Sequence, residues 1–587
     1  MKILLVSVNA SFMHTSLAVR CLKNFAEKYF CQKESEQKNQ FEIPKIDYAE
    51  FTINQPAGEV LRGIAAHRPD VVLFSTYIWN AEYVCKILPD VKKIVPECLV
   101  GAGGPEFGYD AKKYLLQLPS LDFVIFGEGE VTFSELAEKL AENFGQPDKK
   151  GGALWDSIPG IFFRSALRGD VDFSGNRSLI QNLDSIPFPY PEILSGDFDP
   201  DHKIYYYESS RGCPFGCAYC LSSVDKSVRF KSLDRVFSEL QIFLDANVKL
   251  VKFVDRTYNL NPERYIEIWR YILNHHNKKT MFHFEIEAEF LSEEALEFLQ
   301  NVPSGVMQFE MGVQSANKKT LASINRSPNV EKLALNIRRI PRTIHQHLDL
   351  IAGLPFENLE SFGKSFDFVM DLRPDALQLG FLKVLHGTEM ELYARKNGWA
   401  WMENPVYETF STPYLSYDDV NFLKDIENVT DIFWNKGIFY YTMNYIFRIV
   451  SPWKFLCVLT EFARKTDAIS LSRKESFWFD FLDSFFSFIN NEFDSCAPEF
   501  SSLDFALLSD LLRYDFIRGG KKNNFPAWYK RRYDKEKHLA LLSEKEASLS
   551  GKKIGFAQSD YEEFSFDVTA SEPEKQARDF CLLLCYR

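Results

Sequence analysis

The sequence of 587 residues lacks any run of about 18 apolar residues, the length that a membrane-spanning helix requires. Its apolar start, Met1–Val6, is too short for a secretory signal, because Asn9 and His14 follow soon after it. We therefore expect a cytoplasmic protein with no membrane partner. Thiols stay reduced in the cytoplasm, so the eleven cysteines are expected to be mostly free thiols or metal ligands rather than disulfides.

The sequence also lacks an excess of basic residues. It has 68 Lys and Arg against 81 Asp and Glu, which gives a formal net charge of −13. Proteins that bind nucleic acids depend on a basic surface for affinity, so this balance argues against nucleic acid as a partner, although it leaves room for a local basic groove. The chain has no internal repeat and no low-complexity tract.

Residues 1–150 are predicted to form an α/β domain. Short apolar runs separated by amphipathic stretches predict a flavodoxin- or Rossmann-like parallel sheet with helices on both faces. The runs are Ile3–Val8, Val71–Ser75, Cys98–Gly101 and Phe123–Phe126. Ligands of such sheets bind beyond the carboxyl ends of the strands, and Asn9, Ser75, Gly103 and Gly127 all follow strand ends.

A second α/β region follows a proline-rich segment. Residues 151–198, which include Ile186–Pro191, are predicted to be a linker. Residues 199–395 hold six strand-like runs that alternate with helical patterns, which predicts a partial (β/α)6 barrel. The candidate strands are 204–208, 250–254, 281–287, 307–313, 347–353 and 377–383.

The last region, residues 396–587, has aromatic-rich helical patterns. The chain contains 53 Phe, and Ser476–Ile489 carries Phe or Trp at most positions. Asp480 and Asp483 interrupt this segment, whereas a membrane-surface helix would carry basic residues on its polar face. We therefore predict a buried packing helix within a mainly α-helical C-terminal domain.

Three cysteines within eight residues form the most informative motif. Cys213, Cys217 and Cys220 come shortly after the first predicted barrel strand. Such spacing is typical of iron–sulfur ligands, and three local thiolates would leave one iron of a 4Fe–4S cluster open for a substrate or cofactor. Structural zinc is the alternative, but it usually takes four ligands from two pairs, and no second pair or HxxxH motif lies nearby.

The CxxxCxxC motif, with Tyr219 directly before its third cysteine, resembles that of the radical S-adenosylmethionine (SAM) superfamily. The resemblance implies that Cys213, Cys217 and Cys220 hold a 4Fe–4S cluster whose open iron binds SAM. It also implies reductive cleavage of SAM to a deoxyadenosyl radical, which takes hydrogen from the substrate. An electron donor such as flavodoxin or ferredoxin would be a partner.

The resemblance further implies cofactor contacts at successive strand ends of the barrel, where barrel enzymes collect their chemistry. Asp255 and Arg256 match the position that binds the amino group of SAM. Other matched residues, on the third, fourth and fifth strands, are Glu285, Glu287, Gln314, Ser315 and Asp349. A single carboxylate at a strand end often caps a helix or faces solvent, so the repetition is the stronger signal.

The N-terminal domain resembles the cobalamin-binding domain that precedes the barrel in some radical SAM enzymes. The loops at 9–16, 75–80 and 101–106 carry the resemblance, together with the GEGE turn at 127–130. Glycines at strand ends let the backbone approach a flat, bulky ligand. The residues expected at the cobalamin site are Asn9, Ser75, Thr76, Gly103, Gly104, Pro105, Glu106, Gly127 and Glu128.

One departure from the pattern bears on cobalamin. Many cobalamin proteins supply a histidine from an Asp-x-His-x-x-Gly motif, which this sequence does not contain. His14 lies in the first loop without the Asp and Gly, and we interpret it as a loop residue rather than a cobalt ligand. We favour cobalamin bound without a protein imidazole, as in related enzymes; the alternative is a domain that keeps the fold without the cofactor.

These resemblances predict a radical SAM enzyme that uses cobalamin to transfer a methyl group to an unactivated carbon of a small-molecule substrate. The alternatives are an oxidative cyclase or rearrangement enzyme with the same cofactors, a tRNA methylthiotransferase and a non-enzymatic sensor. Methylthiotransferases usually have extra N-terminal cysteines for a second cluster and a basic C-terminal domain, unlike this acidic chain. The C-terminal domain, with Leu512–Phe516 and Pro526–Tyr529, resembles one found in a subgroup with no assigned reaction, so the sequence does not name the substrate.

Overall fold

A computed structural model describes residues 1–35, 42–144, 155–165, 170–327, 329–492, 500–520, 522, 524–548, 558–570 and 575–585. The described chain forms an N-terminal seven-stranded sheet, a central six-stranded sheet and a C-terminal helical region that ends in a β-hairpin. The predicted α/β architecture is thereby confirmed. Within the described ranges, no helix combines the length and the apolar character that a membrane crossing requires.

The N-terminal sheet has strand order β2-β1-β3-β4-β5-β6-β7, and its first five strands are parallel. The strands are β1 (Lys2–Asn9), β2 (Lys45–Thr52), β3 (Val71–Ser75), β4 (Leu99–Gly103), β5 (Phe123–Ile125), β6 (Ile161–Arg164) and β7 (Val171–Phe173). The helices are α1 (Leu17–Ser35), α2 (Ala57–His67), α3 (Ala81–Ile94), α4 (Pro105–Tyr109), α5 (Ala111–Gln117) and α6 (Gly129–Glu142). Alternate residues of β3 enter two separate apolar cores, so both faces of the sheet are covered.

Two of these strands lie in the segment that the sequence analysis assigns to a linker. β6 and β7 extend the N-terminal sheet by antiparallel pairing, so this sheet continues beyond residue 150. Strands of four and three residues are too short to give a clear pattern in the sequence. Of the predicted linker, residues 151–154 and 166–169 lie outside the described residues.

The central sheet is parallel and open, with strand order β15-β14-β13-β12-β11-β8. Its strands are β8 (Ile204–Tyr207), β11 (Leu250–Phe253), β12 (Met281–Glu285), β13 (Met307–Gln314), β14 (His345–Ala352) and β15 (Ala376–Phe381), and the short β9 (Ser210–Arg211) and β10 (Arg229–Phe230) pair beside it. The helices of this region are α7 (Pro191–Ser195), α8 (Leu233–Asp245), α9 (Pro262–His275), α10 (Glu293–Leu299), α11 (Lys318–Ser323), α12 (Val330–Arg339), α13 (Leu359–Asp371) and α14 (Glu389–Lys396). The six predicted strands are confirmed. Burial alternates along β13 and β14, so one face of each strand enters the core and the other lies half-buried.

The C-terminal region is mainly helical. Its helices are α15 (Tyr417–Thr430), α16 (Tyr440–Ile449), α17 (Pro452–Lys465), α18 (Glu475–Glu492), α19 (Phe505–Arg518) and α20 (Lys535–Ser548). Its strands are β16 (Ala400–Trp401), β17 (Thr409–Ser411), β18 (Ser559–Phe566) and β19 (Lys575–Cys585). α18 buries Phe479, Leu482 and Phe485, which confirms the predicted packing helix.

The N-terminal domain contacts the β8 edge of the open central sheet directly, and it is connected to the chain after β15 through Tyr407 of the C-terminal region. At the β8 edge, the Ile204 N–H donates a hydrogen bond to the Met13 carbonyl, 2.8 Å away, in the loop after β1. At the β15 edge, the Val384 N–H donates to the carbonyl of Tyr407, whose hydroxyl in turn donates to Glu106 at the start of α4. The carboxyl edge of the N-terminal sheet is therefore held against the central sheet.

Candidate functional site

A cavity of about 300 Å³ lies at the carboxyl ends of the central strands. The predicted site residues that line it are Cys213, Cys217, Tyr219, Cys220, Arg256, Glu285, Glu287, Gln314 and Asp349. Thr257, Asn325 and Arg326, which the sequence analysis does not single out, also line it. The structure therefore brings the cysteine motif together with polar residues from three neighbouring strands.

The cysteine loop, residues 212–220, is held by its backbone. Gly212 has a φ of +90°, and a Cβ at this position would lie 2.1 Å from the Ser227 carbonyl oxygen. Only glycine fits there, because it has no Cβ and adopts positive φ without strain. Further along the loop, the Ala218 N–H donates a hydrogen bond to the Ile324 carbonyl, 3.1 Å away. These contacts fix the loop at the mouth of the central sheet.

The three cysteines of the motif line one cavity. In the part of the chain that the structure describes, no group of three or more His, Cys, Asp or Glu is placed to hold a metal ion. The donors nevertheless suit an iron–sulfur cluster, because thiolates are the usual ligands of such clusters and all three share one cavity.

Arg326 carries a positive charge next to the cysteine loop. Its Nη2 atom donates to the Glu287 carboxylate at 2.5 Å and to the Gly312 carbonyl at 2.8 Å, and its Nη1 atom lies 4.0 Å from the Cys217 sulfur. Burial alone would lower the pKa of Arg326, but Glu287, Tyr219 and Cys217 raise it above its usual range. The sequence gives no local signal for this role, because Arg326 lies in a polar turn after α11.

Three carboxylates enter the cavity from three neighbouring strands. Glu310 of β13 lies 3.0 Å from Lys252 Nζ and 2.9 Å from His283 Nε2. Burial opposes its ionisation, yet these partners lower the pKa of Glu310 to about 2. Burial raises the pKa of Glu285, which lies 3.7 Å from Lys252, and raises the pKa of Asp349 well above its usual value.

Two predicted cofactor residues turn away from the cavity. Asp255 is buried and accepts two hydrogen bonds from Ser209 and one from Ser210, the first residue of β9. The Ser315 hydroxyl is buried and donates to Glu357 at 2.7 Å. Their chain neighbours Arg256 and Gln314 line the cavity instead. Arg256 lies in the turn after β11, and Gln314 has a φ of +66° next to a register shift in β13, so neither pair follows the simple alternation of a strand.

Two predicted cobalamin loops touch at the carboxyl edge of the N-terminal sheet. The Thr76 hydroxyl donates to the Gly103 carbonyl at 2.9 Å and accepts a hydrogen bond from the N–H of Phe107, in the helix that Pro105 begins. Gly104 has a φ of +104°, and a Cβ there would lie 2.4 Å from the Thr76 carbonyl oxygen. Glycine is therefore required for the two loops to meet.

The other strand ends of this edge are held by side-chain amides. Asn9 donates to the His14 carbonyl at 2.9 Å, and Asn80 donates to the Ser75 carbonyl at 3.0 Å. Gly127 has a φ of +80°, and a Cβ there would meet no atom within 4 Å. Ordered loops with open space beside them suit a flat ligand at this edge.

Two further predicted cobalamin residues are engaged by protein groups. Glu106 is buried and accepts hydrogen bonds from the hydroxyls of Tyr114, at 2.6 Å, and Tyr407. Glu128 lies 3.2 Å from Arg211, which precedes the cysteine loop. Both carboxylates thus connect the N-terminal domain to the rest of the chain, and their contact with a cofactor stays a prediction.

His14 takes part in the contact between the first loop and β8. Its Nδ1 atom lies 2.6 Å from the hydroxyl of Tyr206, and the two rings are stacked. Burial, followed by the charges of Lys252 and Lys203, lowers the pKa of His14. The imidazole is therefore a neutral hydrogen-bonding group at neutral pH, and its assignment as a loop residue rather than a cobalt ligand stays a prediction.

Comparison with known families finds matches in three regions of the chain. Residues 3–137 match the B12 binding domain, and residues 207–369 match the radical SAM superfamily. Residues 395–583 match a family whose description is protein of unknown function (DUF4080). These matches confirm the resemblances proposed from the sequence for the N-terminal, central and C-terminal regions.

Two relatives are methyltransferases. An uncharacterized methyltransferase of Pyrococcus horikoshii is 26% identical over 58% of this chain and 72% of its own length. The cobalamin-dependent radical SAM methyltransferase TokK of Streptomyces tokunonensis is 27% identical over 52% of this chain and 45% of its own length. The match to TokK thus covers less than half of that protein, and both matches leave much of this chain uncovered.

A solved structure resembles the fold over most of the chain. The cobalamin-dependent S-adenosylmethionine radical enzyme OxsB, with aqua-cobalamin bound, covers 88% of this chain with a TM-score of 0.58. The match covers 79% of the OxsB chain, and the sequence identity is 15%. At this identity the likeness concerns the fold alone.

Proposed function

We propose that this chain, which is a radical SAM enzyme with a B12-binding domain, is a cobalamin-dependent methyltransferase that acts on an unactivated carbon of a small molecule. One structural arrangement supports the proposal. The cysteine loop and the polar strand ends of the central sheet share a cavity, the loop after β1 contacts the β8 edge of that sheet, and Glu106 after β4 is hydrogen-bonded to Tyr407, which pairs with Val384 after β15. The methyltransferase relatives favour methyl transfer over oxidative cyclisation or rearrangement.

In this proposal different cavity residues bind the cluster and SAM. Cys213, Cys217 and Cys220 hold the 4Fe–4S cluster, and Arg326 keeps a positive charge beside them. Arg256, which lines the same cavity, pairs in this proposal with the carboxylate of SAM rather than with its amino group, because a guanidinium and an ammonium group are both cations. When bound, the cluster, SAM and cobalamin supply the radical and methyl-transfer chemistry, while the protein orients them and the substrate.

The remaining strand-end groups orient the ligands within the cavity. Glu285, Glu287 and Gln314 offer oxygen acceptors from two neighbouring strands, which suits the hydroxyl and amino groups of SAM. The carboxyl edge of the N-terminal sheet holds cobalamin beside Gly103 and Gly127. A flavodoxin or ferredoxin supplies the electron that starts each turnover.

Metal analysis after anaerobic reconstitution tests the cofactors. The wild-type chain is expected to bind about four irons, as a single 4Fe–4S cluster requires, and one cobalamin, and to release deoxyadenosine from SAM. Cys217→Ala should abolish SAM cleavage, whereas Cys457→Ala, in α17 of the C-terminal region, should leave it intact. SAM cleavage that persists in Cys217→Ala rules out the cluster assignment, and iron without cobalt rules out the cobalamin-dependent scheme.

Product analysis separates methyl transfer from the other reactions that share these cofactors. A methyltransferase releases both S-adenosylhomocysteine and deoxyadenosine for each methylated product, because SAM supplies the methyl group and the radical. A cyclase or rearrangement enzyme releases deoxyadenosine without S-adenosylhomocysteine. Formation of S-adenosylhomocysteine by the reconstituted chain therefore supports the proposal, and its absence during active SAM cleavage contradicts it.

A further inference from the structure

Two arginines that face each other close the chain segment that carries the cysteine loop. Arg211 of β9 and Arg229 of β10 are directly paired across these short antiparallel strands, and the cysteine loop lies between them in the chain. Like charges at directly paired positions repel each other, so this pairing is unfavourable unless a negative group lies close to both guanidinium groups.

The negative charge comes from the GEGE turn of the N-terminal domain. Glu128 Oε1 accepts a hydrogen bond from Arg229 Nη1 at 2.9 Å and another from Arg211 Nη1 at 3.2 Å. Glu130 adds a second carboxylate, 2.5 Å from Arg211 Nη2. Both arginine side chains are largely withdrawn from solvent, 6% exposed for Arg229 and 14% for Arg211, so water screens these ion pairs only weakly.

Arg229 also holds the segment that follows the cysteine motif. Its Nη2 atom donates a hydrogen bond to the Asp225 carboxylate at 2.9 Å, and the backbone carbonyl of Asp225 accepts one from the N–H of Cys213 at 3.0 Å. A single guanidinium group therefore bonds to the GEGE turn on one side and, through one residue, to a cysteine of the motif on the other. This chain of contacts runs without a break from Glu128 to Cys213.

The other end of the GEGE turn faces the edge where the proposed function places cobalamin. Gly127, which precedes Glu128 in the chain, follows β5 at the carboxyl edge of the N-terminal sheet and has open space beside it. Ligands of such sheets bind beyond the carboxyl ends of the strands. A cobalamin held there would fix the turn and, with it, the carboxylate that Arg211 and Arg229 share.

We propose that Arg229 is a positioning residue that couples the two cofactor sites, so that cobalamin and the iron–sulfur cluster each favour binding of the other. A ligand that fixes the GEGE turn also restricts the cysteine loop, and the second cofactor then binds at a smaller cost in conformational entropy. The coupling is reciprocal, because linkage requires each ligand to change the affinity of the other by the same factor. It rests on the proposed function, which supplies both cofactors, and adds that they bind cooperatively.

The affinity for cobalamin with and without the cluster tests this coupling. Hydroxocobalamin is titrated anaerobically into the full chain, once free of iron and once reconstituted with iron and sulfide, and bound cobalt is measured by equilibrium dialysis. The reconstituted wild-type chain is expected to bind hydroxocobalamin at least about fivefold more tightly than the iron-free chain, as typical couplings between sites do. Equal affinities of the two forms overturn the proposal.

Arg229→Gln tests whether the coupling passes through this side chain. The affinities of its two forms should agree within about twofold, as for independent sites. Arg513→Gln is the matched control, because Arg513 is also a buried arginine between two carboxylates, Asp510 and Glu562, but lies in the C-terminal region. This control should keep the wild-type ratio of affinities. A wild-type ratio in Arg229→Gln means that the cofactors affect each other by another route, and it overturns the proposal.

The ratio of affinities also separates coupling from a loss of stability. If Arg513→Gln lowers the ratio as much as Arg229→Gln does, the effect is a general one of destabilisation, and the proposal is overturned. Asp225→Asn breaks the same ion pair from the cysteine side and replaces Arg229→Gln if that variant does not fold; it should lower the ratio, and an unchanged ratio overturns the proposal. Failure of the proposed function is recognised separately, because the wild-type chain then binds no hydroxocobalamin or takes up no iron.

Discussion

Nη2 of Arg211 lies 2.5 Å from a carboxylate oxygen of Glu130, and this ion pair joins the cysteine loop to the N-terminal domain. The same guanidinium lies 2.8 Å from Glu208 and 3.2 Å from Glu128. Glu128 and Glu130 belong to the GEGE turn, and Arg211 stands two residues before Cys213. The turn therefore fixes the chain segment that leads into the cysteine motif.

Arg211→Gln is expected to destabilise the chain and to lower its iron content after reconstitution. The substitution leaves the buried Glu130 without its counter-charge, at a cost of about 3–5 kcal/mol in the free energy of unfolding. Urea unfolding and iron analysis measure the two effects. Arg339→Gln removes an exposed pair with Glu293 and is expected to cost less than about 1 kcal/mol. Equal losses of unfolding free energy and of iron in the two variants would contradict this expectation.

Tyr407→Phe is expected to weaken the contact between the N-terminal and central regions. The buried Glu106 then keeps the hydroxyl of Tyr114 but loses that of Tyr407, and the loss of one hydrogen bond to a buried charged group costs about 1–3 kcal/mol. Differential scanning calorimetry measures the change. Tyr417→Phe, at an exposed tyrosine on α15, should be close to neutral, and a larger effect there than at Tyr407 would refute the expectation.

Arg326→Gln is expected to impair cluster assembly and to destabilise the chain. The variant removes the positive charge beside Cys217 and leaves Glu287 buried without its partner. Iron content and the electronic absorption of the cluster report the first effect, and urea unfolding reports a loss of about 3–5 kcal/mol. Arg338→Gln, which breaks an exposed pair with Asp371, is the control. Full cluster content in Arg326→Gln would count against a role for this charge.

The raised pKa of Glu357 predicts that the stability of the folded chain falls as the pH rises. Burial raises its pKa to about 7, although hydrogen bonds from Ser315 and Ser365 oppose the shift. The folded chain thus holds this proton more tightly than the unfolded chain, whose carboxyl titrates near 4.5. The contribution to stability is full below pH 4.5 and declines through pH 7, by up to about 3 kcal/mol.

Glu357→Gln removes this titration. The variant is expected to gain stability relative to the wild type as the pH rises from 5 to 8, measured by urea unfolding at each pH. Glu360→Gln, on the first turn of α13, is the control. Lys364 lowers the pKa of Glu360, so any effect there has the opposite sign. A constant difference between wild type and Glu357→Gln across this range would contradict the assignment.

The sequence predicts the positions of site residues along the chain better than the directions of their side chains. Arg256 and Gln314 line the cavity as expected, whereas their neighbours Asp255 and Ser315 hydrogen-bond to buried groups behind it. A sequence motif at a strand end names both neighbours, and the local backbone conformation, such as the φ of +66° at Gln314, decides which one faces the cavity. This direction depends on where each strand begins and on its register with the adjacent strands.

The sequence patterns do not reveal contacts between segments that are far apart in the chain. Arg326 reaches Cys217 across 109 positions of the chain, and Glu128 reaches Arg211 across 83. The glycines and acidic residues of the GEGE turn are as typical of a ligand-binding loop as of a contact between domains. The sequence alone therefore favours a cobalamin contact there and does not reveal the ion pair with Arg211. The edge strand β2 is missed for a related reason, since its charged and half-buried residues give no continuous apolar run.

The hydrogen bond between Ile204 and Met13 bears on whether the barrel can be produced without the N-terminal domain. Within the central sheet, β8 pairs on one side with β11, and its other side is met by the first loop of the N-terminal domain. A barrel produced without that domain would present an open strand edge, to which strands of other molecules add readily. We therefore expect a barrel produced without the N-terminal domain to aggregate more readily than one produced together with it.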